Sequence, residues 1–308
     1  MKNRSGAKKT AKFAALPKTK MTVKELLVVS RPFWWVNTCA PFVASYFIIA
    51  GLADWTLAVG VLFFAFGYNL MMYGINDIYD YESDILNPRK TGVDGSVLSK
   101  TKHPTLWKWI FAVNLPLVAY LYAVGNLASN LWLTLMLFMV VAYSQKGLRF
   151  KEIPFLDSFT SSFHYTSPFI FGGLLIGADD LYIPAYVAFF VWVMANHAFG
   201  AIQDITPDRQ ANISSIATKL GASKTIVLVL SGYVLAAVLP IVFYGWGALL
   251  VSVLLLPYVV MVARTLPHRH NDKAPIFGKA WDQFLYYNYF SGFVLTWALL
   301  FAFDRLPW

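Results

Sequence analysis

The chain has 308 residues, 58% apolar and 17% aromatic but only 13% charged, about half the charged share of a soluble globular domain. That composition excludes a soluble enzyme, and the single cysteine, Cys39, excludes an intrachain disulfide and a cysteine-built metal site. A net charge of +9 would suit nucleic acid only if the cations formed a groove interleaved with stacking aromatics.

Residues 1–24 are basic and poor in large apolar side chains, and read as a disordered tail resting on an anionic cytoplasmic leaflet. They resemble the charged region of a signal peptide. The first apolar run is nevertheless long enough to span, and eight more follow, so the first helix is expected to be retained. The runs are 33–51, 56–75, 106–124, 129–145, 156–177, 183–203, 224–243, 246–264 and 283–303. The expected fold is therefore an all-α integral membrane protein. Residues 25–308 are expected to form one domain of nine transmembrane helices.

Nine spans with the N-terminus inside put every Lys and Arg of the chain on the cytoplasmic side except Arg305. The outer loops near Asp54, Asn126, Asp179 and Gly245 carry none. The positive charge is thus the inside bias of a multispan protein of the cell (plasma) membrane, and no nucleic-acid partner is expected.

The second run ends in N-D-I-Y-D-Y-E-S-D, residues 76–84. On a helix Asp77, Asp80 and Asp84 fall at i, i+3 and i+7 on one face, with Asn76 one turn before Asp80. Carboxylates gathered at membrane depth need a cation between them, and hard oxygen donors suit Mg²⁺. The sixth run ends in N-H-A-F-G-A-I-Q-D-I-T-P-D-R-Q, residues 196–210, with Asp204 and Asp208 at i, i+4 and with His197 and Gln203 nearby. The offset of four runs suggests two four-helix halves plus one helix, with the acidic motifs facing each other. Five of the chain's 16 acidic residues lie in these two motifs. Arg31, Arg89, Lys90, Lys146, Arg149 and Lys151 share their membrane face. Opposed acids ringed by cations suit a metal-bridged diphosphate: the acids hold Mg²⁺ and the cations neutralise the remaining oxygens. Any one of these cations could equally serve topology alone.

N-D-x-x-D-x-x-x-D and D-x-x-x-D on nine runs resemble the UbiA superfamily of intramembrane prenyltransferases, over nearly all the chain after about residue 25. The resemblance implies nine helices bundled around a central cavity, with two Mg²⁺ ions, an isoprenyl diphosphate donor and a lipophilic acceptor arriving from the bilayer. The chain lacks the Arg-Thr-Lys-x-Arg-Pro-like run that follows the first motif in quinone-type members. Its own N-P-R-K-T-G-V-D-G-S-V-L at 87–98 is similar to the lycopene elongase branch. So are residues 68–75, R-P-F-W-W-V-N-T at 31–38, S-S-F-H-Y-T-S-P at 161–168 and the stretch 200–218. That branch implies transfer of five-carbon units from dimethylallyl diphosphate to the ends of lycopene, with a partner subunit from carotenoid synthesis as a further expectation.

For the allylic cation, Tyr73, Tyr79, Trp34, Trp35 and Phe199 are candidate wall residues by cation–π attraction, with plain packing as the alternative for each. His164, His197 and released diphosphate are candidate proton acceptors. Competing acceptors are a quinone precursor, chlorophyllide or a glycerol phosphate. The competing class is a transporter, but the acids cluster at helix ends and not at the midplane.

Overall fold

The computed structural model describes residues 20–85, 97–273 and 275–306, apart from the side chain of Ser83, and among the described residues there is no strand. The chain begins with a short amphipathic helix, α1 (Val23–Ser30), two residues inside the stretch expected as tail. Thr22 Oγ1 accepts from Glu25 N–H at 3.2 Å, and Glu25 Oε2 accepts from Thr22 N–H at 2.9 Å. This reciprocal cap satisfies two amides that a helix start leaves open. Leu26 and Val29 are buried against the next long helices, and Glu25 pairs with Lys102.

Two helices follow: α2 (Trp35–Val43), which runs on through a π turn at Ala44–Ile49, and α3 (Trp55–Tyr79), which has a π turn at Phe63–Gly67. A π turn frees carbonyls from the helical ladder, and in a membrane protein something internal must bond them. Here Asn69 Nδ2 donates to the carbonyls of Phe64 and Ala65 at 2.8 and 2.9 Å, and Thr38 Oγ1 donates to Phe64 O at 2.7 Å. These bonds also pin α2 to α3.

A short helix, α4 (Tyr81–Asp84), leads on to α5 (His103–Val124) and α6 (Leu127–Ser144). The next helices are α7 (Leu156–Leu175), α8 (Ile183–Ile202), the short α9 (Ile205–Gln210), α10 (Ile216–Tyr244), α11 (Leu249–Ala263) and α12 (Ile276–Ala302). The long helices fall on the apolar runs marked in the sequence. Among the described residues, six helical segments are long and apolar enough to cross a membrane, one of them the broken unit Ile216–His268. The α7 helix is not among the six, because Ser, Thr and His interrupt its apolar run.

Two apolar cores hold the bundle. The first joins α1 to α7 around Phe42, Phe63, Phe64, Tyr68 and Phe171. The second joins α8 to α12 around Phe199, Tyr233, Tyr258 and Phe284. Trp34, just before α2, packs against both. At the end of the bundle away from α1, Arg305 donates to the carbonyls of Ile48 and Ile49 at 3.1 and 3.2 Å and ties the end of α12 to the π turn of α2.

Candidate active site

Both acidic motifs sit at a break between a long helix and a short one. Asp80 lies between α3 and α4 with φ −97° and ψ 2°, and Asp204 lies between α8 and α9 with φ −95° and ψ −3°. Each then receives the amide of the acid four residues on: Asp84 N–H donates to Asp80 O at 2.8 Å and Asp208 N–H to Asp204 O at 2.9 Å. The sequence spacing implied continuous helices; the structure bends both at the acid, so the two motifs are geometric repeats of each other.

Of the expected cations, Arg31, Arg149 and Lys151 lie against the first motif. Arg31 Nη2 lies 2.7 Å from Asp77 Oδ1, and its guanidinium rests 4.2 Å over the Tyr73 ring. Tyr73 in turn shares a 2.8 Å hydrogen bond with the hydroxyl of Tyr165 on α7. Asp80 pairs with Lys151 and, at 3.6 Å, with Arg149. Arg149 also bonds Glu152, which holds its guanidinium above the usual arginine range. Asp77 and Asp84 are buried, and Asn76 Nδ2 reaches Ser144 Oγ at 3.4 Å. Burial of this kind is tolerable only with the charge matched.

Arg31 and Arg149 both have left-handed backbones, with φ of 52° and 41°. Such a conformation costs a non-glycine residue on the order of 1–3 kcal/mol and persists where the surroundings fix it. In both cases the strained residue is the one delivering a guanidinium to the motif.

Lys146 is exposed in the turn after α6, where Arg149 and Lys151 and not Lys146 reach Asp80. Arg89 and Lys90 lie outside the described residues. Asp204 and Asp208 are half-buried at the start of α9. Gln203, beside them, approaches the first turn of α12 near Gly278. Phe199, expected on a cavity wall, is 1% exposed and fills the second core instead. Tyr73 lies under Arg31 beside the first motif and Tyr79 is half-buried, while Trp35 bonds the Ser30 carbonyl at 2.9 Å.

Sequence reasoning passed over Asp157, Tyr143, Tyr165 and Tyr68, all of which form polar contacts within the bundle. The signal was present: a span-length run holding S-F-T-S-S-F-H-Y-T-S cannot face lipid and must line something polar.

The oxygens of Asn76, Asp77, Asp80, Asp84, Asp204 and Asp208 are the hard donors that Mg²⁺ takes. Among the described residues no three acids, histidines or cysteines are drawn together closely enough to cage a metal. Arg31 and Lys151 stand against Asp77 and Asp80 in the arrangement described. The donor chemistry suits the ion, while Arg31 and Lys151 hold the oxygens of Asp77 and Asp80 in this structure.

A family model described as the UbiA prenyltransferase family matches residues 38–303. The chain belongs to the UbiA prenyltransferase family. It is 43% identical over 284 residues to a lycopene elongase/hydratase of Corynebacterium glutamicum, covering 90% of this chain and 97% of that one. It is 42% identical to the C(50) beta-cyclic carotenoids biosynthesis protein LbtBC of Dietzia sp., covering 93% of this chain but only 66% of the relative. Among solved structures, a UbiA homolog from Archaeoglobus fulgidus bound to DMAPP and Mg²⁺ superposes with a TM-score of 0.66 at 20% identity, covering 88% of this chain and 99% of that one. This UbiA-family chain is a prenyltransferase with an all-helical fold.

Proposed function

We propose that the protein transfers five-carbon prenyl groups from dimethylallyl diphosphate to the ends of lycopene in a Mg²⁺-dependent reaction. The observation that carries the clamp is the matched break at Asp80 and Asp204, each with a second acid one turn on. The acceptor rests on the similarity to the Corynebacterium elongase/hydratase along 97% of its length, and the donor and ion on what the Archaeoglobus homolog holds.

Asp77, Asp80, Asp84, Asp204 and Asp208, with Asn76, would hold the metal, whose contribution is to neutralise charge building on the departing diphosphate. Arg31, Lys151 and Arg149 bind its other oxygens, joined by Arg89 and Lys90 from the segment after the first motif. The donor C–O bond breaks and its electron pair leaves with diphosphate. Tyr73, Tyr79 and Trp34 present ring faces to the allylic cation without offering a nucleophile. The terminal alkene of the acceptor supplies the pair for the new C–C bond, and the resulting tertiary cation loses a proton or is captured by water.

Nine spans place the tail of residues 1–24, the N-terminus and the mouth of the site on the cytoplasmic side of the plasma membrane, with residues 25–308 as the transmembrane domain. The extra third of the Dietzia relative supports a partner subunit from carotenoid synthesis. The test is expression in a lycopene-producing host with dimethylallyl diphosphate present. Longer carotenoids in the extract are expected; unchanged lycopene would sink the acceptor, and turnover on a quinone precursor, chlorophyllide or glycerol phosphate would replace it.

A further inference from the structure

The α7 helix carries a buried polar column that the diphosphate clamp does not use. At the motif end Asp157 is 1% exposed; its Oδ2 accepts from Ile216 N–H at 2.8 Å. Ser158 Oγ lies 3.0 Å from His197 Nδ1, and His197 Nε2 lies 3.4 Å from the Tyr143 hydroxyl. The Tyr143 ring stands edge-on to that of His164, with centroids 5.5 Å apart. His164 Nδ1 is 3.2 Å from the Tyr68 hydroxyl. His164 is 2% exposed and its Nε2 has no hydrogen-bond partner; Thr160 Oγ1, one turn earlier on the same face, is likewise buried without one.

Two histidines were candidates for taking the proton that ends the reaction, and the structure separates them. Both nitrogens of His197 are occupied, by Ser158 and Tyr143. His164 has one nitrogen occupied and one open. A buried polar atom left without a partner costs ~1–3 kcal/mol, and an ionisable residue at membrane depth is functional by default. In neutral imidazole one nitrogen carries hydrogen and the other a lone pair. With Nδ1–H donating to the Tyr68 oxygen, the lone pair sits on Nε2. His164 lies seven residues into α7 from Asp157, about 10 Å deeper along the helix, in the same layer as Tyr165, which bonds Tyr73 beside the clamp.

We propose that His164 Nε2 is the proton acceptor for the cation formed on the prenylated acceptor, with Tyr68 as the positioning residue that fixes its tautomer. The C–H bond beside the cationic carbon breaks, its electron pair becomes the new C=C bond, and the proton passes to Nε2 to give imidazolium. This rests on the prenyl-transfer reading above. Without that acceptor the cation survives longer and water captures it, so an alcohol replaces an alkene.

The experiment uses full-length protein in membranes of a lycopene-containing host, supplied with dimethylallyl diphosphate and Mg²⁺. It measures released diphosphate, carotenoid alkenes and carotenoid alcohols. His164→Gln is expected to raise the alcohol-to-alkene ratio about tenfold while diphosphate released per prenyl group added stays at the wild-type value. Tyr68→Phe should move the ratio in the same direction by less. Wild-type ratios in His164→Gln overturn the proposal, as does a drop in carotenoid whose residual product keeps the wild-type ratio, which a purely structural role would give. Wild-type membranes that release no diphosphate from this donor, indistinguishable from Asp80→Ala, overturn the prenyl-transfer reading itself.

Discussion

Asp80 and Asp204, 124 positions apart by their numbers, hold the same backbone conformation at the same kind of break, a long helix bending into a short one. A solvated acidic loop has no reason to be built twice in this way. At each break the amide of the acid four residues on bonds the carbonyl of the first. Asp80→Ala and Asp204→Ala should each lower Mg²⁺-dependent diphosphate release by about a thousandfold or more, the scale of losing a principal electrostatic contact in a transition state. Membrane insertion, followed by extraction and size-exclusion chromatography, should be unaffected. Activity persisting in both variants would remove the two-motif clamp.

Arg31 is tied to the first motif by charge and by shape. It pairs with Asp77 while lying flat over Tyr73. Removing one fixed donor to a developing anion costs about 10²–10³ in rate, so Arg31→Ala should lower turnover at least about a hundredfold. Arg31→Lys keeps the charge but loses the planar fork and should recover only part of it. Full recovery by lysine would show that charge alone matters here.

The α1 helix is held down partly by Glu25. Lys102 first, then the Thr22 amide, keep its carboxyl below the ordinary 4.5. That pairing stabilises the docked helix above pH about 4.5 and is lost as the pH falls through the lowered value. Hydrogen exchange at Leu26 and Val29 should be slow near neutrality and accelerate in acid, and Glu25→Gln should flatten the dependence. Equal protection at both pH values would exclude the latch.

The α2 and α7 helices touch at Gly172, where an added Cβ would lie 2.1 Å from Ser45 Oγ and 3.3 Å from the Phe42 carbonyl. Gly172→Ala should destabilise the protein by ~1–3 kcal/mol through overpacking, read as a lower thermal midpoint in detergent. Ser45→Ala in the same chain should restore most of it. A double variant no better than the single one would mean that the Phe42 backbone sets the limit.

Much of this was legible in the sequence. Apolar runs located the long helices because lipid demands unbroken hydrophobic length, and the acidic spacing marked the two helix breaks at Asp80 and Asp204. The capping box Thr22-Val23-Lys24-Glu25 announced α1, yet a short amphipathic helix gives too weak a hydropathy signal to stand out beside full spans. The π turn at Phe63–Gly67 left no trace, because the groups that bond its carbonyls, Thr38 and Asn69, meet across two helices. Ion-pair partners were visible as a group but not individually: Lys151, Arg149 and Lys146 look alike in sequence, and only the left-handed turn at Arg149 decides which ones reach Asp80.

The polar make-up of α7 also bears on how the protein is made. A segment carrying Asp157, Ser158, Thr160, Ser161, Ser162, His164, Thr166 and Ser167, all of them buried, gains little from lipid contact on its own. It packs against α2, α6 and α8, and these neighbours shield its hydroxyls from hydrocarbon. Biogenesis must therefore deliver α7 to the bilayer in company, holding it at the translocon until its neighbours are synthesised. The polar interior of the bundle is then committed only once α8 has been made.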